Sequence, residues 1–390
     1  MNTKDRIYLD NAATSWPKPE AVYQAVDRSL REVGAAAGRA SYRHAEQSQH
    51  FVTNARSACA RLLGIADPAQ LAFTSNGSEA LNLAIHGLIR PGDHVVTTVC
   101  EHNSVLRPLR MQANLHGVET TYVGCDSAGF IDPYDIRRAM QVNTRLVVIN
   151  HGSNVTGAVQ PVAEIAVVAH EHEALILVDA AQTSGCWPID VTQADIDLLA
   201  TGGHKGLLGP LGTGMLYVKP AANGLLSPLQ QGGTGTESQA EEQPQSMPEK
   251  LEVGNLNVPA LAGLAAAVQH LLNETVEGIH ERLQLLTHQL LEGLSTIREV
   301  RLVGPGSNQT RVSVVSFDVE GYDPQEFAAG LDATCGIECR AGLHCAPRMH
   351  AALGSAKSGG LIRLSPGWTT TNEDIDQTLA TIAALATANT

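Results

Sequence analysis

One lysine in this chain stands in surroundings that are unusual for a lysine. Lys205 follows the apolar run 196–200 and lies within a segment rich in glycine and proline, residues 202–214. Most lysines lie on solvated surfaces, whereas a lysine that forms a Schiff base needs a desolvated site with close access for a cofactor. An exposed turn before a buried strand would explain the same pattern, so this segment alone leaves both interpretations open.

Two further motifs supply what a Schiff-base cofactor would need. Asp179 ends an apolar run, 175–178, and a buried carboxylate there requires a positively charged partner. The protonated ring nitrogen of pyridoxal phosphate is such a partner. Residues 75–79, Ser-Asn-Gly-Ser-Glu, precede a predicted helix whose N-terminus would bind a phosphate, although the same residues are also good helix caps. Together with Lys205, these motifs predict a pyridoxal phosphate site.

The elements around these motifs predict how they come together. Short apolar strands alternate with amphipathic helices from residue 71 to 178, a pattern typical of a parallel sheet with helices on both faces. Ligands of such sheets lie beyond the carboxyl ends of the strands. The polar residues that follow predicted strands are His102, Asn154, Asp179 and Lys205. The sequence therefore predicts an α/β fold with these side chains along one edge of the sheet.

The boundaries of the elements follow from the same patterns. The predicted strands are 71–74, 94–99, 120–123, 146–150, 175–178 and 312–318. The predicted helices are 20–31, 48–63, 80–85, 105–116, 133–140, 162–172, 259–273, 276–294 and 324–331.

The composition argues against several classes of partner. A net charge of −14 over 390 residues disfavours nucleic acid and anionic membranes, which bind basic surfaces. No run approaches the roughly 20 apolar residues of a membrane helix, and the first residues lack an apolar signal core, which predicts a cytoplasmic protein. The seven cysteines lack paired spacing, so neither a disulfide framework nor a metal site is predicted, even where Cys335, Cys339, His344 and Cys345 cluster.

Six motifs, in order along the chain, carry a resemblance to one family. They are LDNAAT at residues 9–14, TSNGSE at 74–79, EHN at 101–103, VDAAQ at 178–182, GHK at 203–205 and RAGLHCAP at 340–347. This set resembles the class V aminotransferase-fold enzymes, and among them the cysteine desulfurase and selenocysteine lyase family, from Tyr8 to about Asp376. The resemblance implies fold type I, a large domain with a mostly parallel sheet between helices and a smaller α/β domain. We predict the large domain at 16–285, and the small domain, with the catalytic cysteine, at 1–15 and 286–390.

The resemblance implies a role for each residue that would bind the cofactor. Lys205 would hold pyridoxal phosphate as a Schiff base and later move the substrate's Cα proton. His102 would stack on the ring, Asp179 would pair with its nitrogen, and Gln182 would bind its hydroxyl group. The phosphate would be held by Gly77, Ser78 and His204, and Thr236 would reach the phosphate of a neighbouring subunit, which requires a homodimer.

The resemblance also implies the substrate and the reaction. Asn154, Arg340 and Arg363 would bind L-cysteine or L-selenocysteine, because an arginine fork matches a carboxylate. Cys345 would attack the substrate's sulfur, so that alanine leaves and a persulfide remains for a sulfur-acceptor protein. A thiolate reacts better than a thiol, and the nearest groups in sequence that would favour it are Arg340 and His344.

Departures from the family pattern leave other functions open. Gly202 stands where the family usually has a hydroxyl for the phosphate, so that this hydrogen bond is missing or is supplied by Thr201. Leu343 replaces a histidine. One alternative is transamination or β-elimination on the same scaffold, for which Cys345 would be dispensable. Another is a non-catalytic scaffold for sulfur carriers, which would not need Lys205 and Arg363. The sequence does not choose between cysteine and selenocysteine.

Overall fold

The computed structural model describes residues 6–38 and 40–387, so residues 1–5 of the predicted small domain lie outside it. The strands are β1 (Ile7–Tyr8), β2 (Leu71–Thr74), β3 (His94–Thr98), β4 (Glu119–Val123), β5 (Thr144–Asn150), β6 (Leu175–Asp179), β7 (Leu198–Gly202), β8 (Gly214–Val218), β9 (Val300–Val303), β10 (Val315–Val319), β11 (Ile337–Glu338), β12 (Arg340–Gly342) and β13 (Leu361–Leu364). The helices are α1 (Glu20–Arg28), α2 (Arg43–Leu62), α3 (Gly77–Leu88), α4 (Asn103–His116), α5 (Pro133–Ala139), α6 (Val162–Glu171), α7 (Pro220–Asn223), α8 (Val258–Glu274), α9 (Val276–Ser295), α10 (Pro324–Cys335), α11 (Pro347–Ala352) and α12 (Asn372–Ala386).

The largest sheet has seven strands in the order β2-β8-β7-β6-β5-β3-β4. Strands β3 to β7 run parallel, and β8 is antiparallel to both of its neighbours. The fold class is confirmed as α/β with a mostly parallel sheet. The reversal at β8 follows from the short connection 203–213, because a parallel neighbour requires a crossover of a dozen or more residues. Lys205 lies on this connection.

A second, four-stranded sheet has the antiparallel order β12-β13-β10-β9. The N-terminal strand β1 pairs with β11, and Asp10 forms a bridge with Ser365 just after β13. Helix α9 joins the two parts of the molecule. Its first half places Ile279 and Leu283 in the core of the large sheet, and its second half packs under the small one. The predicted domain boundary at 285/286 falls within this helix.

Several predicted segments have different bounds in the structure; for example, the helix predicted at 324–331 extends to Cys335. Helix α2 begins at Arg43 rather than at residue 48, because its first turn has a single apolar residue, the buried Ala45, and so gives no apolar period. Strand β10 begins at Val315 rather than at residue 312, where the chain instead forms a bridge between Arg311 and Ala158. Among the helices that the structure describes, none combines the length and apolarity needed to cross a membrane.

Candidate active site

A cavity of about 560 Å³ opens at the carboxyl ends of β3, β5, β6 and β7. The residues predicted to follow strands, His102, Asn154, Asp179 and Lys205, all line it. So do Gly77, Ser78, Gln182 and His204. The structure thus brings together eight of the residues that the sequence singled out.

The amine of Lys205 is held in a desolvated position. Burial lowers the pKa of Lys205 from 10.5 to about 8, although the nearby carboxylate of Asp179 acts in the opposite direction. A substantial share of the amine is therefore neutral near physiological pH, which is the form that attacks an aldehyde. The exposed-turn interpretation of this lysine is wrong.

Asp179 is the last residue of β6 and is 7% exposed. One carboxylate oxygen accepts a 3.0 Å hydrogen bond from the main-chain N–H of Ala181. Burial raises the pKa of Asp179, because the charged form loses solvation that this hydrogen bond and Lys205 restore only in part. A cation in the cavity would stabilise the carboxylate.

The other end of the cavity contains two helix N-termini. Asn76 caps α3 by accepting a 2.9 Å hydrogen bond from the N–H of Glu79, and the N–H groups of Gly77 and Ser78 have no acceptor within the helix. The hydroxyl groups of Ser78 and Ser104, from the start of α4, lie 2.6 Å apart. Sequence reasoning missed Ser104, which directly precedes the helix predicted at 105–116 and is the second residue of α4.

Gly202 lies in close surroundings. A Cβ atom on Gly202 would lie 3.3 Å from the ring of His204, and one on Gly77 would lie 3.1 Å from the nitrogen of Gly202. Of the two alternatives for the missing hydroxyl, the structure gives Thr201 little support, because its hydroxyl donates to the carbonyl of Ala180 at 3.3 Å and Thr201 does not line the cavity. Ser104 is the hydroxyl that lines the cavity instead.

His102 is a neutral imidazole with a fixed tautomer. Its Nδ1 accepts a 3.1 Å hydrogen bond from the N–H of Ser104, so the proton lies on Nε2. Burial, followed by the charges of Lys205 and Arg340, lowers the pKa of His102 to about 4. The ring can therefore stack on a second ring without adding a positive charge.

The loop between β12 and α11 carries Cys345 in a strained conformation. His344 and Cys345 both have positive φ angles, 47° and 59°, which are uncommon for residues other than glycine. Two contacts hold the loop in place. The N–H of Asn103 donates to the carbonyl of Cys345 at 2.8 Å, and Nδ2 of Asn154 donates to the carbonyl of His344 at 2.6 Å.

The positive charge beside the Cys345 sulfur comes from Arg340. The Nη2 atom of Arg340 lies 3.5 Å from the Sγ atom of Cys345. The expectation that His344 also supplies charge is wrong. Burial, with a smaller effect of Arg363, lowers the pKa of His344 to about 2, so its ring stays neutral.

Arg363 is almost fully buried on β13 and already has a carboxylate partner. Its Nη2 donates to Oδ1 of Asp10 at 2.6 Å, and its Nη1 donates to the carbonyl of Asn154 at 3.1 Å. Asn154 Oδ1 has no hydrogen-bond partner among the described residues. Sequence reasoning missed Asp10, because 353 positions separate it from Arg363.

Thr236 lies apart from these residues in this chain. It belongs to the exposed loop between α7 and α8, where its hydroxyl lies 3.0 Å from that of Thr234. Its predicted contact with a phosphate therefore depends on a second subunit.

Residues 7–378 match the family model described as Aminotransferase class-V. The chain therefore belongs to the class V aminotransferase family, a family of fold type I proteins that use pyridoxal phosphate. Within that family it belongs with the cysteine desulfurases.

Three relatives illustrate this similarity. A Methanothermobacter thermautotrophicus protein named "Probable cysteine desulfurase" is 36% identical over 98% of this chain and 96% of its own. "Cysteine desulfurase IscS" of Dictyoglomus turgidum is 30% identical over 96% of this chain and 93% of its own. The solved apo cysteine desulfurase of Thermococcus onnurineus NA1 has a TM-score of 0.92 at 31% identity, covering 98% of this chain and 95% of that one.

The cavity fits pyridoxal phosphate. Nδ1 of His204 and Oδ1 of Asn150 line it without a hydrogen-bond partner among the described residues, and buried polar atoms are normally paired. The N-terminus of α3 offers main-chain N–H groups to a phosphate. Asp179 suits a protonated ring nitrogen, and Lys205 suits an aldehyde.

Proposed function

We propose that this chain is a cysteine desulfurase that converts L-cysteine to L-alanine and carries the released sulfur as a persulfide on Cys345. The observation that supports this most directly is the placement of Cys345. Its sulfur lies 3.5 Å from the guanidinium of Arg340, and its carbonyl is bonded to Asn103, the residue that follows His102. A cysteine with only a structural role would not need a strained loop, a neighbouring positive charge and a hydrogen bond that holds the loop in place.

Each residue at the cofactor has a task that follows from its environment. When bound, pyridoxal phosphate supplies an acceptor for the electrons of a bond broken at the substrate's Cα. Lys205, with its pKa lowered to about 8, can both take and return the Cα proton near neutral pH. Asp179 would keep the ring nitrogen protonated, and neutral His102 would cover one face of the ring.

The sulfur transfer belongs to Cys345. Its thiolate, stabilised by Arg340, would attack the substrate's sulfur, so that an S–S bond forms while the substrate's C–S bond breaks. The electron pair of that bond stays with the substrate carbon, which takes up a proton and leaves as alanine. The persulfide stays on Cys345.

We assign the substrate carboxylate to Arg363 and the substrate amine to Asn154. A carboxylate that reaches Arg363 would replace Asp10 on the guanidinium, and the unpaired amide oxygen of Asn154 could accept a hydrogen bond from the substrate amine. Asn154 and Lys205 line the same cavity, so a substrate held by Asn154 would lie on the side of the cavity that Lys205 can reach.

The test measures alanine and sulfide released from L-cysteine by the wild type and by Cys345→Ala, with a thiol reductant present. We expect alanine release by the wild type and its loss in the variant. Alanine release that survives in Cys345→Ala would contradict the assigned role of the thiol. Absence of alanine with the wild type would contradict the proposed reaction and favour transamination or β-elimination on another amino acid.

L-Selenocysteine is the second substrate to compare, because it differs only at the atom that Cys345 would attack. Selenide release by Cys345→Ala would show that selenium leaves without this thiol. If the wild type turns over both substrates and Cys345→Ala turns over neither, then both substrates react by the same Cys345-dependent mechanism.

We further propose that the protein is a homodimer in which Thr236 of one subunit binds the phosphate of the other. We also propose that it works in the cytoplasm and passes its persulfide to a sulfur-acceptor protein. All seven cysteines are free thiols, as expected of a reducing compartment. Thr236→Ala should weaken the binding of pyridoxal phosphate to the dimer, whereas Thr234→Ala should not. Light scattering gives the mass in solution, and a monomer with full cofactor affinity would contradict this arrangement.

A further inference from the structure

Two cysteines outside the active site follow the ends of the neighbouring parallel strands β3 and β4. The parallel register pairs Thr98 with Val123, and the N–H of Val99 donates to the carbonyl of Val123 at 2.9 Å. Cys100 and Cys125 each come two residues after that last paired position, Cys100 in the turn that follows β3. Neighbouring strands lie about 4.8 Å apart, within the range of Cα separations that a disulfide spans.

The two thiols differ in access and in ionisation. Cys100 is fully buried, and its sulfur lies 3.7 Å from the carbonyl of Gly129. Cys125 is partly exposed, and its sulfur lies 3.8 Å from that of Met349. The interaction between the two thiols, together with burial, raises the pKa of Cys100, and the same interaction lowers the pKa of Cys125 although burial acts in the opposite direction. Cys125 is therefore the thiol that reagents reach and that ionises more readily.

We propose that Cys100 and Cys125 are a modification site, at which a hydroperoxide installs a reversible disulfide. The Cys125 thiolate attacks the peroxide oxygen, the O–O bond breaks, and a sulfenic acid and an alcohol or water result. The Cys100 sulfur then attacks the Cys125 sulfur and displaces water, its proton leaving with the hydroxyl group. In sum, two thiols and one hydroperoxide give a disulfide, water and the reduced peroxide.

The two cysteines lie next to two segments of the active site, the one that carries His102 and the one that follows the Cys345 loop. Cys100 directly precedes Glu101 and His102, and its carbonyl accepts a 3.3 Å hydrogen bond from Nδ2 of Asn150. Met349, which contacts Cys125, lies on α11, just after the loop that carries Cys345. The proposal does not depend on the proposed function.

The test uses the full chain loaded with pyridoxal phosphate and carrying Cys345→Ser, so that the other reactive thiol is absent. The protein is treated with hydrogen peroxide, denatured, alkylated, digested and analysed by mass spectrometry. We expect two fewer free thiols, a mass loss of two hydrogens, and a peptide pair that joins Cys100 to Cys125 and separates with dithiothreitol.

Matched variants assign the bond. Adding Cys125→Ser or Cys125→Ala should abolish the mass loss, whereas Cys186→Ser, which changes a half-buried thiol elsewhere in the chain, should leave it intact. Three results would overturn the proposal. They are oxidation of Cys125 to a sulfinic acid while Cys100 stays reduced, a bond from either cysteine to a different partner, and resistance of both thiols to peroxide.

Discussion

The main-chain N–H of Asn103 donates a 2.8 Å hydrogen bond to the carbonyl oxygen of Cys345. The bond joins the loop that carries the candidate sulfur acceptor to the first residue of α4, directly after His102. Because both partners are main-chain atoms, the separation of these two parts of the site depends on the backbone and not on a side-chain rotamer.

Asn103→Pro should loosen this loop without breaking α4. Proline lacks the N–H but is well tolerated at the first residue of a helix, and the extended conformation of His102 suits a residue before proline. We expect alanine release from cysteine to fall roughly two- to tenfold, the net worth of one hydrogen bond, with unchanged cofactor content. Asn103→Ala keeps the N–H and is the control. An equal fall in both variants would show that the side chain matters instead.

Arg340→Leu should slow the reaction of Cys345 with iodoacetamide at pH 7. The variant removes a positive charge 3.5 Å from the sulfur, and unit charges at about 4 Å interact by roughly 1 kcal/mol in water-like surroundings, which corresponds to about a fivefold change in rate. Mass spectrometry of the Cys345 peptide gives the rate. Arg340→Lys keeps the charge and should react nearly as fast as the wild type. Equal rates for all three proteins would remove Arg340 from the activation of the thiol.

The stability of the cofactor-free protein should depend on pH through Lys205. Its pKa is lowered from 10.5 to about 8, so the unfolded chain binds more protons between these values and the free energy of unfolding rises with pH across that window. The free energy of unfolding of the wild type, measured relative to that of Lys205→Met, should rise by on the order of 3 kcal/mol from pH 7.5 to 10.5. Urea unfolding of both proteins at the two pH values measures this difference. Lys219→Met is the control, because the pKa of Lys219 is raised, and a pH-independent difference for Lys205 would contradict its desolvation.

Asp179→Asn should weaken cofactor binding. Losing a charge-assisted hydrogen bond to the ring nitrogen costs about 1.5–3 kcal/mol, which predicts a dissociation constant roughly 10- to 100-fold higher. Titration of the cofactor-free protein with pyridoxal phosphate, followed by absorbance, gives the constant. Asp197→Asn removes another buried carboxylate of the same sheet, one that pairs with His170 and Lys219 away from the cavity. Comparable losses in both variants would point to general destabilisation.

How much of the fold and of the site could be predicted from the sequence depends on how far apart along the chain the contacting residues are. The strands of the large sheet are encoded by local apolar runs, and β3, predicted at 94–99, is observed at His94–Thr98. The order of strands in a parallel sheet then places residues such as Asp179 and Lys205 at one edge. Contacts between the two sheets have no local signal, and the pair of Asp10 with Arg363 depends on how β1, β11 and β13 pack.

The ion pair between Arg363 and Asp10 has a consequence for selectivity, if Arg363 binds the substrate carboxylate as proposed. Asp10 is then a tethered competitor, present at a constant effective concentration whatever the substrate concentration is. A ligand without a carboxylate leaves the pair closed and gains nothing from Arg363. A ligand with one must outcompete the chain's own acid, so the affinity for amino acids is set partly by an intramolecular equilibrium.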